Sequence, residues 1–223
     1  MKSFNGDINA VVIGASGGIG KSFVQQLCNS DNVKTVYVFS RSKASLDHSK
    51  VITGYIDIID EDSIQQAAQS CEGGIHLIIV ATGMLHNGQS LPEKSLRDLD
   101  FKAMQSCFAI NTLGPALVAK HFLPVIPREG KSVFAALSAR VGSISDNGIG
   151  GWYSYRASKT ALNMMIKNAA IEAGRKYKDA VLIGLHPGTV DTSLSKPFQG
   201  HVQHDIFTPD QAADYLLKVI DTV

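Results

Sequence analysis

The sequence predicts a three-layer α/β/α fold. One doubly wound parallel sheet of six strands would lie in a single domain spanning residues 1–223. Three observations predict it. Short apolar runs alternate with longer segments whose apolar residues recur at helical spacing. The short runs are apolar on both faces, as in a parallel sheet covered by helices on either side. A glycine-rich turn joins the first strand to the first helix. At 223 residues and 44% hydrophobic content, the chain can bury a full core.

Taken in order, Ile8–Ile13 is an apolar run ending in glycine and reads as a buried strand. Residues 19–28 carry apolar side chains at helical spacing. Residues 33–39 and 51–56 are the second and third strands. Glu61–Gln69 is a helix opened by Asp60, whose carboxylate suits a cap. Residues 75–80 form the fourth strand, and 94–109 and 112–123 are two helical stretches. Residues 131–137 form the fifth strand. A glycine-rich loop, 142–151, leads into a long helix over 154–177. Ala180–Leu185 is the sixth strand, broken by Pro187-Gly188, and a last helix runs over 209–220 with Pro209 in its first turn.

Composition narrows the function. A net charge of +1, with Lys and Arg scattered, gives no footprint for nucleic acid or an anionic membrane. No apolar stretch is long enough for a membrane span, and the polar segment Met1 to Asp7 is not a signal peptide. Cys28, Cys71 and Cys107 each fall in a helical pattern and read as reduced thiols of a cytoplasmic protein. His201 and His204 have no third ligand at suitable spacing, so no metal site is expected.

The glycine turn is Gly14-Ala15-Ser16-Gly17-Gly18-Ile19-Gly20. Gly14 permits the tight turn, Gly18 the approach of a pyrophosphate, and Gly20 close helix–sheet contact. The helix N-terminus then offers free N–H groups to phosphate. After the second strand stand Ser40 and Arg41, with no acid until Asp47. A hydroxyl and a guanidinium suit a 2′-phosphate, so NADP is expected over NAD, which stays open. Lys43 reaches the same region. Asp57, after the third strand, either accepts from an adenine amino group or caps a turn. Tyr155 and Lys159 lie four apart on one helical face. An ammonium beside a phenol lowers its pKa, which suits proton exchange with a carbonyl/alcohol pair.

With these motifs in order, essentially the whole chain resembles the short-chain dehydrogenase/reductase family. It is most similar to the branch of C-factor and sniffer-type carbonyl reductases. The resemblance implies a Rossmann fold and NAD(P)-dependent interconversion of a carbonyl compound and its alcohol. The family glycine motif matches Gly14, Gly18 and Gly20, with Ser16, Gly17 and Ile19 between them, and its adenine-site acid matches Asp57. Its Asn-Asn-Ala-Gly stretch is replaced by Ala81-Thr82-Gly83, leaving hydrogen bonding to Thr82 or the backbone. Pro187 and Gly188 match, and the nicotinamide-contacting threonine is Thr192 or Thr189. Tyr155 is implied as general acid/base and Lys159 as the residue that lowers its pKa and holds the nicotinamide ribose. Asn111 is implied to hold a water linking Lys159 to solvent.

The family serine is expected three residues before a glycine, but that position is Ala139 relative to Gly142. Ser138 is one residue too early unless a bulge or early turn restores it, and Ser143 is the second candidate. Residues Met84, Leu85, Val141, Ile144, Trp152 and Leu194 to Phe198 would line an apolar pocket for a small or hydrophobic ketone or aldehyde. His186 reads as a packing or hydrogen-bonded residue. The resemblance also implies a homodimer or homotetramer through the 112–123 and 154–177 helices. The family's further, seventh strand is not found. The alternative reading is an NAD(P)-binding signalling or regulatory protein with little turnover.

Overall fold

Six strands form one parallel sheet: β1 (Ile8–Ile13), β2 (Val33–Ser40), β3 (Val51–Tyr55), β4 (Leu77–Val80), β5 (Ser132–Leu137) and β6 (Ala180–Leu185). Their order is β3-β2-β1-β4-β5-β6, and every pairing is parallel. The chain winds outward from β1 and returns to its other side at β4. That reversal opens a crevice beyond the carboxyl ends of β1 and β4. The computed structural model describes residues 1–42, 46–86, 91–201 and 205–223. Lys43 and His204 lie outside the described residues.

Strand alternation assigns the two cores. Val11 and Ile13 of β1 pack with Ile64, Phe122 and Leu162 from α2 (Glu61–Gln69), α4 (Gly114–Phe122) and α5 (Tyr153–Ala173). Ile8, Ala10 and Val12 turn the other way, onto Phe23, Leu27, Leu216 and Ile220 of α1 (Gly18–Cys28) and α6 (Pro209–Thr222). The expectation of strands buried on both faces fails at the sheet edge. There β3 leaves Ile52 and Tyr55 largely exposed, because no strand among the described residues flanks its outer side.

Local chemistry explains where helix boundaries depart from periodicity. The 94–109 stretch is not one helix. A short 3-10 turn, Leu96–Asp98, ends at Leu99, and Asp100 starts α3 (Phe101–Phe108) by accepting from Ala103 N. Asp60 caps α2 as expected, accepting from Asp62 N and Ser63 N. Ala109–Leu113 forms a π-helical turn between α3 and α4. The long helix stops at Ala173 rather than 177, capped at Gly174. Cys71 falls beyond α2 rather than inside it. No helix among the described residues is long and apolar enough to cross a membrane.

Candidate active site

Tyr155 owes its position to an unusual helix start. Gly150, Gly151 and Trp152 have φ of 72°, 65° and 50°, so three successive left-handed residues swing the chain into α5. The start is held from outside. Glu93 is buried and accepts through its carboxylate from Ser154 N at 3.2 Å and from the Ser154 hydroxyl, while its carbonyl accepts from Trp152 N. These bonds satisfy N–H groups that no cap residue serves. The Trp152 ring meets Tyr155 edge-on at 6.2 Å and Phe198 at 5.3 Å, and His86 meets Phe198 at 5.6 Å.

Lys159 lies one turn on, 2% exposed, its Nζ donating to Leu137 O at 2.7 Å and standing 5.8 Å from the Tyr155 ring centroid. Here the expected pKa logic is corrected. Burial, with a smaller push from the Cys107 thiol, drives Tyr155 up to about 12. Burial draws Lys159 down to about 8. The phenol therefore stays protonated at neutral pH, because desolvation outweighs an ammonium that is turned toward a carbonyl.

The lowered pKa of Lys159 has a definite sign in stability. Below pH 8 the folded protein bears the full penalty of a buried ammonium, and the penalty fades as pH rises toward the ordinary value of 10.5. From about pH 7.5 to about pH 9.5, wild-type stability relative to Lys159→Met should rise by about 2 kcal/mol. Urea denaturation reads this directly. A difference independent of pH would contradict it.

Ser138 needs no bulge. Strand β5 continues regularly into it, with Ser138 N donating to Leu185 O at 2.7 Å. Alternation puts Ser138 on the same side as Phe134 and Ala136, the side that α5 covers. The extra residue before Gly142 is absorbed afterwards, in the 3-10 turn Arg140–Gly142. Gly142 then presses against Lys159, where an added Cβ would stand 2.9 Å from the Lys159 carbonyl carbon. Ser138 lines both cavities beside Tyr155. Ser143 does not: its hydroxyl pairs with Ser145 and accepts from Asp146 N.

Asn111, fully buried in the π turn, lines neither cavity. Its Oδ1 accepts from Met84 N and its Nδ2 donates to Met84 O, both at 2.8 Å. The Nδ2 group also reaches Cys107 Sγ and Ser158 Oγ. Its side chain thus clamps the backbone after β4.

The cofactor-side residues line two joined cavities. One, of about 490 Å³, is bordered by Gly14, Ser16, Gly17, Ser40, Arg41, Asp57, Ala81, Thr82 and Gly83. The other, of about 290 Å³, adds Gly18, Ile19, Gly20, Ser138, Tyr155, Lys159, Pro187 and Thr192. Gly14 has φ 87°, and a Cβ there would stand 2.9 Å from Thr82 Cγ2. Gly17, the N-cap of α1, supplies no side-chain bond, so the helix's first N–H groups face the cleft. Thr82 Oγ1 is buried without a hydrogen-bond partner among the described residues. Ser40 borders the cavity with its hydroxyl already donating to Ser42 O, which shapes the turn there. Asp57 accepts from Ile59 N, which is the turn-forming role.

A third cavity adjoins through Ser138, Tyr155 and Thr192. It includes Leu85, Val141, Trp152, Gly188, Thr189, Leu194 and Phe198 and is mostly apolar. Ile144 is not among them, being 80% exposed, and Met84 belongs to the cofactor side. His186 is an exposed residue at the rim, so of its two expected roles the packed one does not hold. The loop after Gly188 is closed at its base. Val190 and Phe207 form a parallel bridge, with Phe207 N donating to Thr189 O and Asp191 N to Phe207 O.

Three residues escaped the sequence reading: Glu93, His86 and Asn163. The Ser138 hydroxyl donates to Asn163 Oδ1 at 2.7 Å. Asn163 had a readable signal, since it stands at i+8 from Tyr155 and i+4 from Lys159. Glu93 had none, because its partner Ser154 is distant in sequence.

Residues 9–202 match the short chain dehydrogenase family. The 1-hydroxy-2-glutathionyl-2-methyl-3-butene dehydrogenase of Rhodococcus sp. (strain AD45) is 34% identical over 96% of this chain and 90% of its own length. The C-signal protein of Myxococcus xanthus is 36% identical over 57% of this chain and 72% of its own. The structure of an NADPH-bound carbonyl reductase from chicken fatty liver superposes with a TM-score of 0.84. It is 25% identical and covers 99% of this chain and 90% of its own. With its parallel sheet, glycine turn and Tyr155–Lys159 pair, the chain belongs to the short-chain dehydrogenase family.

Proposed function

We propose that this protein is an NADP-dependent oxidoreductase that reduces small or apolar carbonyl compounds to alcohols. The observation that carries it is the shared wall of the two cavities, where Tyr155 and Ser138 meet with Lys159 behind. The free N–H groups of α1, the unpartnered Thr82 hydroxyl and the left-handed Gly14 fit a dinucleotide. NADPH, when bound, supplies the hydride. Arg41, which has no ion-pair partner among the described residues, would hold the 2′-phosphate, and Lys159 has two further N–H donors for ribose hydroxyls.

Tyr155 gives its proton to the developing alkoxide, and Ser138 stabilises that oxygen. A phenol raised to about 12 is held in the protonated form that reduction requires. That the chicken protein is an NADPH-bound carbonyl reductase supports the same reading. NADPH oxidation with a panel of ketones and aldehydes tests it, and no turnover on any of them would sink it. Arg41→Asp is expected to raise the Kd for NADPH at least about 10-fold while sparing NADH. Fluorescence titration checks it; an equal loss for both cofactors would refute the assignment.

A second reading, an NAD(P)-binding signalling protein with little turnover, draws on the similarity to C-signal. Cofactor binding without consumption across the panel would favour it. A cytoplasmic homodimer or homotetramer completes the proposal, supported by exposed Leu113, Met164, Met165 and Ile171 around the π turn and α5.

A further inference from the structure

We infer that Asn163 is a positioning residue whose side-chain amide sets the direction of the Ser138 hydroxyl proton. This rests on the reading of Ser138 as a donor to the substrate oxygen. A serine hydroxyl has one proton and two acceptor lone pairs. In the structure that proton goes to Asn163 Oδ1, at 2.7 Å. Ser138 is only 8% exposed and borders both cavities, so an arriving carbonyl oxygen meets the hydroxyl's lone pairs rather than its proton. In that orientation it repels the developing oxyanion.

An amide carries an acceptor on one arm and donors on the other. Turning the Asn163 amide over brings Nδ2 to Ser138 Oγ. The serine then accepts, and its proton is free for the substrate. Neither partner gains or loses charge. Space for the turn is provided by β6. Asn163 is exposed at its edge, beside Gly184, where an added Cβ would stand 3.2 Å from Asn163 Oδ1 and 3.5 Å from Ser138 Cβ. A larger residue there would crowd the pair.

The same helix stripe sets the register. Lys159 holds Leu137 O, and Asn163, one turn on, holds the hydroxyl of the next residue. Successive turns of α5 therefore grip successive residues at the end of β5.

The test compares kcat, KM and NADPH Kd for full-length wild type, Ser138→Ala, Asn163→Ala, Asn163→Asp and the double variant Ser138→Ala/Asn163→Asp. The assay uses NADPH and the best carbonyl from the panel at neutral pH. A carboxylate only accepts, so Asn163→Asp keeps the serine proton turned away. Its kcat should fall at least about 10-fold, to near the Ser138→Ala value, with NADPH Kd unchanged. Asn163→Ala leaves the hydroxyl free to turn but undirected, and should lower kcat about 3-fold, well short of the Asn163→Asp loss. In the Ser138→Ala background, Asn163→Asp should add nothing. Equal losses for Asn163→Ala and Asn163→Asp, or an additive loss in the double variant, would overturn the inference while leaving Ser138 its role. Wild-type kcat in Ser138→Ala would overturn both the inference and that role, without touching the assignment of Tyr155.

Discussion

Tyr155→Phe is expected to lower kcat about 10³-fold while changing NADPH Kd less than about 2-fold. The substitution removes one oxygen and keeps the ring. The edge contact with Trp152 at 6.2 Å and the place of Lys159 over the ring both involve carbon atoms that phenylalanine retains. The helix start also survives, since Glu93 holds Ser154 and Trp152 rather than Tyr155. What disappears is the only acid at the wall common to the two cavities among the described residues. Lys159 borders only the cofactor-side cavity and not the substrate-side one, and Ser138 is too weak an acid to replace a phenol. Stopped-flow measurement of NADPH oxidation reads the loss, and fluorescence titration reads the binding. Activity within about 10-fold of wild type would remove Tyr155 from the mechanism.

Gly20→Ala should have the largest effect on the fold's cofactor end. A Cβ at Gly20 would stand 2.3 Å from Gly14 O and 2.9 Å from Ala15 Cα. Both are backbone atoms in the turn from β1 to α1, so no rotamer change relieves the clash. Either α1 lifts from the sheet or the turn opens, and each displaces the free N–H groups of the helix. A loss of about 2–3 kcal/mol in stability is expected, with NADPH Kd raised at least about 100-fold. Gly148→Ala is the matched control, because a Cβ there meets nothing within 4 Å. Equal urea midpoints for the two variants would contradict the close-packing account of Gly20.

The sheet and its strand count were readable because β1, β4 and β5 are buried on both faces, and apolar runs report burial directly. The Asp60 cap was readable because capping is local. The break at Asp100 was equally local, yet helical periodicity through 94–109 masked it. At the site, residue types and spacing named residues that the fold gathers around one cleft, but they do not encode its hydrogen bonds. Ser40 and Ser138 each carry one proton, and which acceptor takes it depends on packing. The direction of the Tyr155 shift followed burial, which the i, i+4 spacing to Lys159 does not encode. For Ser138 the spacing to Gly142 left a bulge and an early turn open, and only the folded chain shows the 3-10 turn Arg140–Gly142 taking up the extra residue.

The bridge between Val190 and Phe207 makes the two ends of the substrate loop a fixed stem. Whatever chain lies between them must leave and return at the same two points, at a distance from β5 and α5 that the loop's own length does not alter. Beyond Thr192, which borders the cofactor-side cavity, residues between these two points could be exchanged with the ends of β5 and α5 left in place. The stem acts as a socket: it fixes where the loop is seated without dictating what the loop holds.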